Sequence, residues 1–108
     1  MVIREFEVYL VNLDPTVGHE MKKTRPCVIL TPERMNSVLG TVIIAPLTSS
    51  IKGYPSRTKV TFQGKAGEVC IDQMRAVDEA RLTKKMGKLE AEFIDELKDV
   101  IFETFDLG

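Results

Sequence analysis

The sequence predicts an α+β, mainly β domain: a small SH3-like barrel, or strongly bent antiparallel sheet, closed by a C-terminal helix. Three observations carry that prediction. Five or more short apolar runs succeed one another, each bounded by glycine, proline, asparagine or aspartate. A helical period is confined to the end of the chain, where Leu89, Phe93, Leu97 and Ile101 recur at i+4. No repeat, low-complexity tract or Gly/Pro-rich linker divides the 108 residues, so 1–108 is read as one domain with room for a single core.

The elements follow in order. In 5–11, Phe6, Val8 and Leu10 alternate with other residues, which predicts a half-buried strand. Asp14-Pro15-Thr16 is a turn signal, and 17–23, with polar residues, one glycine and no period, predicts a mobile loop leading to Arg25. His19 in that loop reads either as a solvated side chain or as an acid/base or base-stacking group. Residues 27–30 form the second strand; Pro26 biases Arg25 toward extended backbone at its mouth. Pro32 opens a helical turn over 32–36. The third strand, 41–50, ends in Thr48-Ser49-Ser50, and Pro46, which lacks a ladder donor, places that end at a sheet edge or bulge. Tyr54 in the loop 51–56 is either a packing residue or a stacking platform. Residues 57–62 and 68–74 read as a hairpin around 63–67, its second arm apolar on both faces through Val69, Cys70 and Ile71. Asp72 then falls inside a buried strand, where a carboxylate either satisfies local donors or is a site residue with a tuned pKa. A turn through 78–82 and a short piece, 85–89, lead to the closing helix, whose outer face is acidic and solvated.

Charge is unevenly distributed. The net charge is −1, yet 22–65 holds eight basic residues against the single acid Glu33, so the remainder sums to −8. Such asymmetry describes either an anion-binding face or charges scattered over both faces of the strands. Cys27 and Cys70 lie in apolar runs without CxxC or histidine-linked spacing, which predicts buried free thiols. With one histidine, neither a metal nor another cofactor is expected. The start of the sequence lacks an apolar signal-like region and no run reaches bilayer length, so the expected compartment is the cytoplasm, away from membranes.

The stretch Lys22-Lys23-Thr24-Arg25-Pro26 concentrates cations at a strand mouth. It reads as solvated surface or as a phosphate grip, for which the planar guanidinium of Arg25 is suited. Taken together with three further segments, it carries a resemblance. Residues 8–20 (Val-Tyr-Leu-Val-Asn-Leu-Asp-Pro-Thr-Val-Gly-His-Glu), Lys23-Thr24-Arg25-Pro26, Pro46-Leu47-Thr48-Ser49-Ser50 and Asp72-Gln73-Met74-Arg75-Ala76-Val77-Asp78 are similar, in the same order, to the motifs of the MazF/PemK (Kid) toxins. Two departures stand out. Arg4-Glu5-Phe6-Glu7 replaces the family's usual Arg-Gly-Asp/Glu, and Cys70 stands where some active members carry a catalytic arginine.

The resemblance implies a ribosome-independent endoribonuclease, an mRNA interferase, that cleaves single-stranded RNA without metal. The ribose 2′-OH would attack the adjacent phosphate to give 2′,3′-cyclic phosphate and 5′-OH ends. Such chemistry needs a base, a stabiliser for the phosphorane and an acid for the leaving oxygen. By resemblance, Arg25, Thr48 and Asp72 are the catalytic residues: Arg25 the electrostatic stabiliser and candidate acid, Thr48 a hydroxyl donor, and Asp72 the first choice of base, with His19 its rival. Gly18, His19, Glu20, Lys23, Ser49 and Gln73 match positions lining the family's RNA groove. The implied partners are single-stranded RNA, a second copy in a homodimer, and a cognate antitoxin with a disordered acidic tail. A CcdB-like gyrase-binding toxin and a catalytically impaired RNA-binding relic are the alternative functions on the same barrel.

Overall fold

The computed structural model describes residues 2–106. Strands β1 (Glu7–Asn12), β2 (Thr24–Ile29), β3 (Thr41–Thr48), β4 (Arg57–Phe62), β5 (Lys65–Cys70), β6 (Arg75–Asp78) and β7 (Leu82–Lys88) form one curled antiparallel sheet. Helix α1 (Glu33–Leu39) joins β2 to β3, and α2 (Ala91–Thr104) closes the chain. The sheet order is β4-β5-β3-β2-β1-β7, with β6 also paired to β3. This is the mainly β, bent-sheet architecture with a C-terminal helix that the sequence predicts.

Strand β3 organises the curl. One side pairs with β2 through Ile44–Pro46; the other pairs first with β6, up to Ile44, and then with β5, from Leu47. Of the two places predicted for it, a sheet edge or a bulge, Pro46 does not take the edge: it sits in the middle of the sheet, at a break between two ladders. It is tolerated because 45–46 falls where β6 has ended and β5 has not begun, a gap in which a missing N–H leaves no ladder partner orphaned on that side.

Burial departs from the simple alternation expected of the first strand. Val8 on one face of β1 and Tyr9 and Val11 on the other are all buried. The strand lies between two cores. Val8, Val28, Leu47, Val69 and Ile71 pack beneath Leu97 and Val100 of α2, while Tyr9, Val11, Cys27, Ile29, Ile44 and Val77 form the second cluster on the opposite face. The predicted helical stripe is realised from Phe93 onward, with Phe93, Ile94 and Ile101 flanking Leu97 and Val100 against the first core, whereas Leu89 is buried in that core ahead of the helix. Cys27 and Cys70 are buried free thiols, as predicted. Burial pushes Cys27 up to about 12 and Cys70 up to about 11, so neither is a nucleophile near neutral pH.

Smaller expectations also change. Pro32 is the N-cap residue of α1, not its first helical residue, and the helix runs to Leu39. The β4–β5 connection is the two-residue turn Gln63-Gly64 with both φ positive (51° and 77°), tighter than the five-residue loop predicted. That tight turn sends Phe62 and Gln63 against the far edge of the sheet. The Phe62 ring lies on Gly87, whose φ of 152° favours glycine and where a Cβ would stand 3.5 Å from Cζ. Gln63 Nε2 donates to the Met86 carbonyl at 2.9 Å. Side chains, with no strand pairing between β4 and β7, thus bring the two ends of the sheet together.

Candidate functional site

The β2–β3 register pairs Cys27 with Pro46. Two residues further along an antiparallel ladder, Arg25 comes opposite Thr48, and both line a cavity of about 500 Å³ at the mouth of the curl. β2 begins at Thr24, earlier than predicted, so Arg25 and Pro26 are strand residues paired with Val11 and Leu10 of β1. Arg25 Nε donates to the Lys22 carbonyl at 2.9 Å, which orients the guanidinium; among the described residues its Nη atoms have no protein acceptor. Thr48 Oγ1 accepts from Ser50 N at 3.1 Å, so its proton is free to donate elsewhere. Gly67 on β5 permits this arrangement: a Cβ there would lie 2.6 Å from the Thr48 carbonyl oxygen.

The loop preceding β2 is tied at several points where the sequence suggested mobility. Leu13 N donates to Lys23 O, Lys23 N to Asp14 Oδ1, and Met21 N to Gln73 Oε1 at 3.1 Å. Arg75 and Arg81 donate to the carbonyls of Leu13 and Asp14. Lys23 is held at φ 68°, a conformation that a non-glycine residue keeps only when its surroundings fix it. A second cavity, of about 200 Å³, also borders this loop, lined by Glu20, Met21, Pro46, Asp72, Gln73 and Arg75 among others.

The predicted site residues therefore divide. Arg25, Thr48, Lys23 and Ser49 line the larger cavity; Glu20, Asp72 and Gln73 line the smaller. Gly18 and His19 are exposed in the loop and line neither.

Asp72 is not in a buried strand. It occupies the 3-10 turn Ile71–Gln73 that follows β5, where its side chain is 31% exposed. Arg57 grips it with two bonds, Nε to Oδ1 at 3.1 Å and Nη2 to Oδ2 at 3.2 Å, and Ser56 Oγ donates to Oδ1 at 2.9 Å. Partial burial alone would raise its pKa; the Arg57 and Ser56 donors outweigh that and hold the carboxyl below the usual aspartate range. Arg57 also lies 3.7 Å from Glu68 Oε1 and stacks on the Tyr54 ring, 4.8 Å from its centroid, which gives Tyr54 a packing role. Glu68 is fully buried. Its two oxygens accept from Lys52 N at 3.0 Å and Gly53 N at 2.8 Å, bolting the loop after β3 onto β5. Burial opposes ionisation there, but these donors and Arg57 bring the net pKa below the ordinary glutamate value. Cys70, where the resemblance suggests an arginine, stands directly across the β4–β5 ladder from Arg57.

Several cavity residues escaped the sequence reading. Phe62, Lys65 and Met86 line the larger cavity with Arg25, Thr48 and Lys22, the last already part of the basic stretch. In the sequence Phe62 only ends a hairpin arm and Met86 only falls in the short piece 85–89, and the tight Gln63-Gly64 turn, visible as a Gly beside an amide residue, is the one local signal near their meeting.

A curled antiparallel sheet with a C-terminal helix is shared with solved toxin structures. Over 98% of both chains, the protein superposes on MazF from Deinococcus radiodurans with a TM-score of 0.87 at 27% identity. It superposes on the chain of a MazE–MazF crystal structure from the same organism with a TM-score of 0.82 at 26% identity, covering 100% of this chain and 99% of that one. At the sequence level it is 36% identical over 99 residues to endoribonuclease PemK of Escherichia coli, spanning 84% of this chain and 73% of that protein. It is 27% identical over 107 residues to endoribonuclease EndoA of Bacillus subtilis, spanning 94% and 92%. Residues 4–105 match the model of the PemK-like, MazF-like toxins of type II toxin–antitoxin systems, and the chain belongs to that family.

Proposed function

We propose that the protein is an endoribonuclease, the toxin of a toxin–antitoxin module, that cuts single-stranded RNA by internal attack. The observation that carries this reading is the meeting of Arg25 and Thr48 on one cation-rimmed cavity, in a chain whose relatives are named endoribonucleases. A bond forms between the 2′-oxygen and phosphorus as the P–O5′ bond breaks. The 2′-OH proton passes to a base and a second proton reaches the leaving 5′-oxygen, leaving 2′,3′-cyclic phosphate and 5′-OH ends. Arg25 stabilises the charge of the phosphorane with its unpaired Nη donors, and Thr48 adds a hydroxyl donor. No metal is required in this scheme.

Asp72 and His19 compete for the role of base. The Arg57 grip weakens the case for Asp72, because a carboxylate whose proton affinity is lowered by a bidentate cation is a poorer acceptor and both its oxygens are already engaged, and it leaves the role to His19, which would have to be carried to the cavity by its exposed loop. Asp72 is then the anchor that holds Arg57. Lys23 and Ser49 contact the RNA backbone beside Arg25, Glu20 and Gln73 bound its path through the smaller cavity, and Gly18 lies in the exposed loop alongside. The solved MazE–MazF structures of similar fold support an antitoxin partner for this chain; an acidic tail on that partner would suit the lysine rim, and a homodimer and a cytoplasmic location belong to the same proposal by family resemblance. No described helix is long and apolar enough to cross a membrane.

Incubating the purified protein with a long single-stranded RNA in excess EDTA tests the reading. Discrete cuts bearing 5′-OH and cyclic phosphate ends are expected. Cleavage abolished by the chelator and restored by a divalent ion would overturn the metal-free mechanism, and the absence of cuts under either condition would overturn the nuclease.

A further inference from the structure

The larger cavity is more than a phosphate grip. Its cations, Lys22, Lys23, Arg25 and Lys65, form the rim, and no acidic side chain lines it among the described residues. The interior is apolar, built from Phe62, Met86, Leu47 and Pro26. A phosphate alone needs no such interior, and at about 500 Å³ the cavity has room for a planar group as well as an anion.

Resting on the nuclease reading above, we propose that this cavity is a nucleobase subsite: it receives the base next to the cleaved phosphate, with Phe62 as the stacking surface. Charge complementarity selects the occupant. The group must bring negative charge to the Arg25–Thr48 wall and an apolar face to the Phe62–Met86 wall within one cavity, which describes a nucleotide. Phe62 is fit for stacking because it is fixed before the ligand arrives: its ring rests on Gly87, and the neighbouring Gln63 amide is bonded to Met86 O. Tyr54, the aromatic residue suggested by the sequence, already stacks on Arg57. The Gln63 Oε1 atom, on the same side-chain amide, remains available as an acceptor beside the ring.

The test starts from a defined transcript whose cut sites are mapped by sequencing the 5′-OH ends. Short oligonucleotides spanning one mapped site are then made with a 2′-deoxy residue at the cut, so that they bind without reacting, and with one abasic position each. They compete against cleavage of the transcript by the intact protein. One abasic position next to the cut should weaken competition about tenfold or more, the scale of one stacked base. Phe62→Leu should abolish that dependence, whereas Lys65→Ala should weaken every oligonucleotide alike, as loss of a phosphate contact does.

A uniform abasic profile on the wild-type protein overturns the proposal without any variant, which covers a Phe62→Leu chain that fails to fold. So does a Phe62→Leu profile identical to wild type. If Phe62→Leu leaves the profile intact but weakens binding of an acidic antitoxin peptide, the cavity serves the antitoxin and not the RNA. If the wild type cuts no transcript, the nuclease reading itself falls, and the subsite with it.

Discussion

At Arg25, charge and shape can be separated. Its Nε is spent on the Lys22 carbonyl, so the Nη pair faces the cavity as a preset fork. Lysine keeps the charge and loses the fork. Arg25→Lys should therefore slow single-turnover cleavage by roughly a hundredfold or more, the scale of losing one preorganised oxyanion donor; near-normal turnover would reduce the guanidinium to surface decoration. Asp72 calls for a different measurement. As the anchor of Arg57, Asp72→Asn should lower the thermal midpoint and keep the rate within about tenfold of wild type; a loss of general-base size, about 10²–10⁴-fold at unchanged midpoint, would make Asp72 the base after all. The sequence could not distinguish these roles. Its hydrophobic pattern extended the strand to Met74, whereas the chain turns at Ile71, and Arg57, fifteen residues from Asp72 in the opposite arm, becomes visible as its partner only when the β4–β5 register is known.

Among elements, β5 and α2 carry the clearest consequences. Glu68 of β5 has a folded pKa below the ordinary glutamate value, so its contribution to stability is present above the unfolded pKa of 4.5 and is lost as pH falls through the folded value. Glu68→Gln should accordingly be less stable at pH 7, and its stability should fall less steeply below about pH 4.5 than that of wild type, as followed by urea midpoints across that range. An unchanged acid limb would show that the clamp on Lys52 and Gly53 does not depend on charge. In α2, Leu97 is fully buried against the first core. Leu97→Ala should cost about 2–5 kcal/mol in denaturant unfolding, the range for a buried leucine whose cavity collapses only in part. The helix was legible because one apolar stripe at i+4 has no other use in a chain of this size. The burial of β1 on both faces was not, because Tyr9, polar at its tip, hides the second apolar face from a period-two reading.

For the whole molecule, the uneven charge read along the sequence becomes a local field. Four of the eight basic residues in 22–65, Lys22, Lys23, Arg25 and Lys65, gather on one cavity, while Arg57 is neutralised by Glu68 and Asp72. Binding of a non-cleavable RNA should weaken with salt, and Lys65→Ala should reduce the slope of log K against log salt by about 0.7, one phosphate's worth on a single strand. An unchanged slope would place Lys65 outside the RNA path. Which cations converge could not be read from the chain, since the convergence depends on a sheet that curls until β4 and β7 meet through Phe62, Gln63, Met86 and Gly87.

That seam also sets a schedule. A ribosome delivers β1 first and β7 last, yet these two strands are ladder partners, and Met86 of β7 supplies a wall of the cavity that Arg25 and Thr48 open. A nascent chain that has emerged only as far as β5 holds both proposed catalytic residues and no finished site. The cavity on which the proposed chemistry rests is therefore complete only once β7 has closed onto β1, when nearly the whole length of the chain has been released.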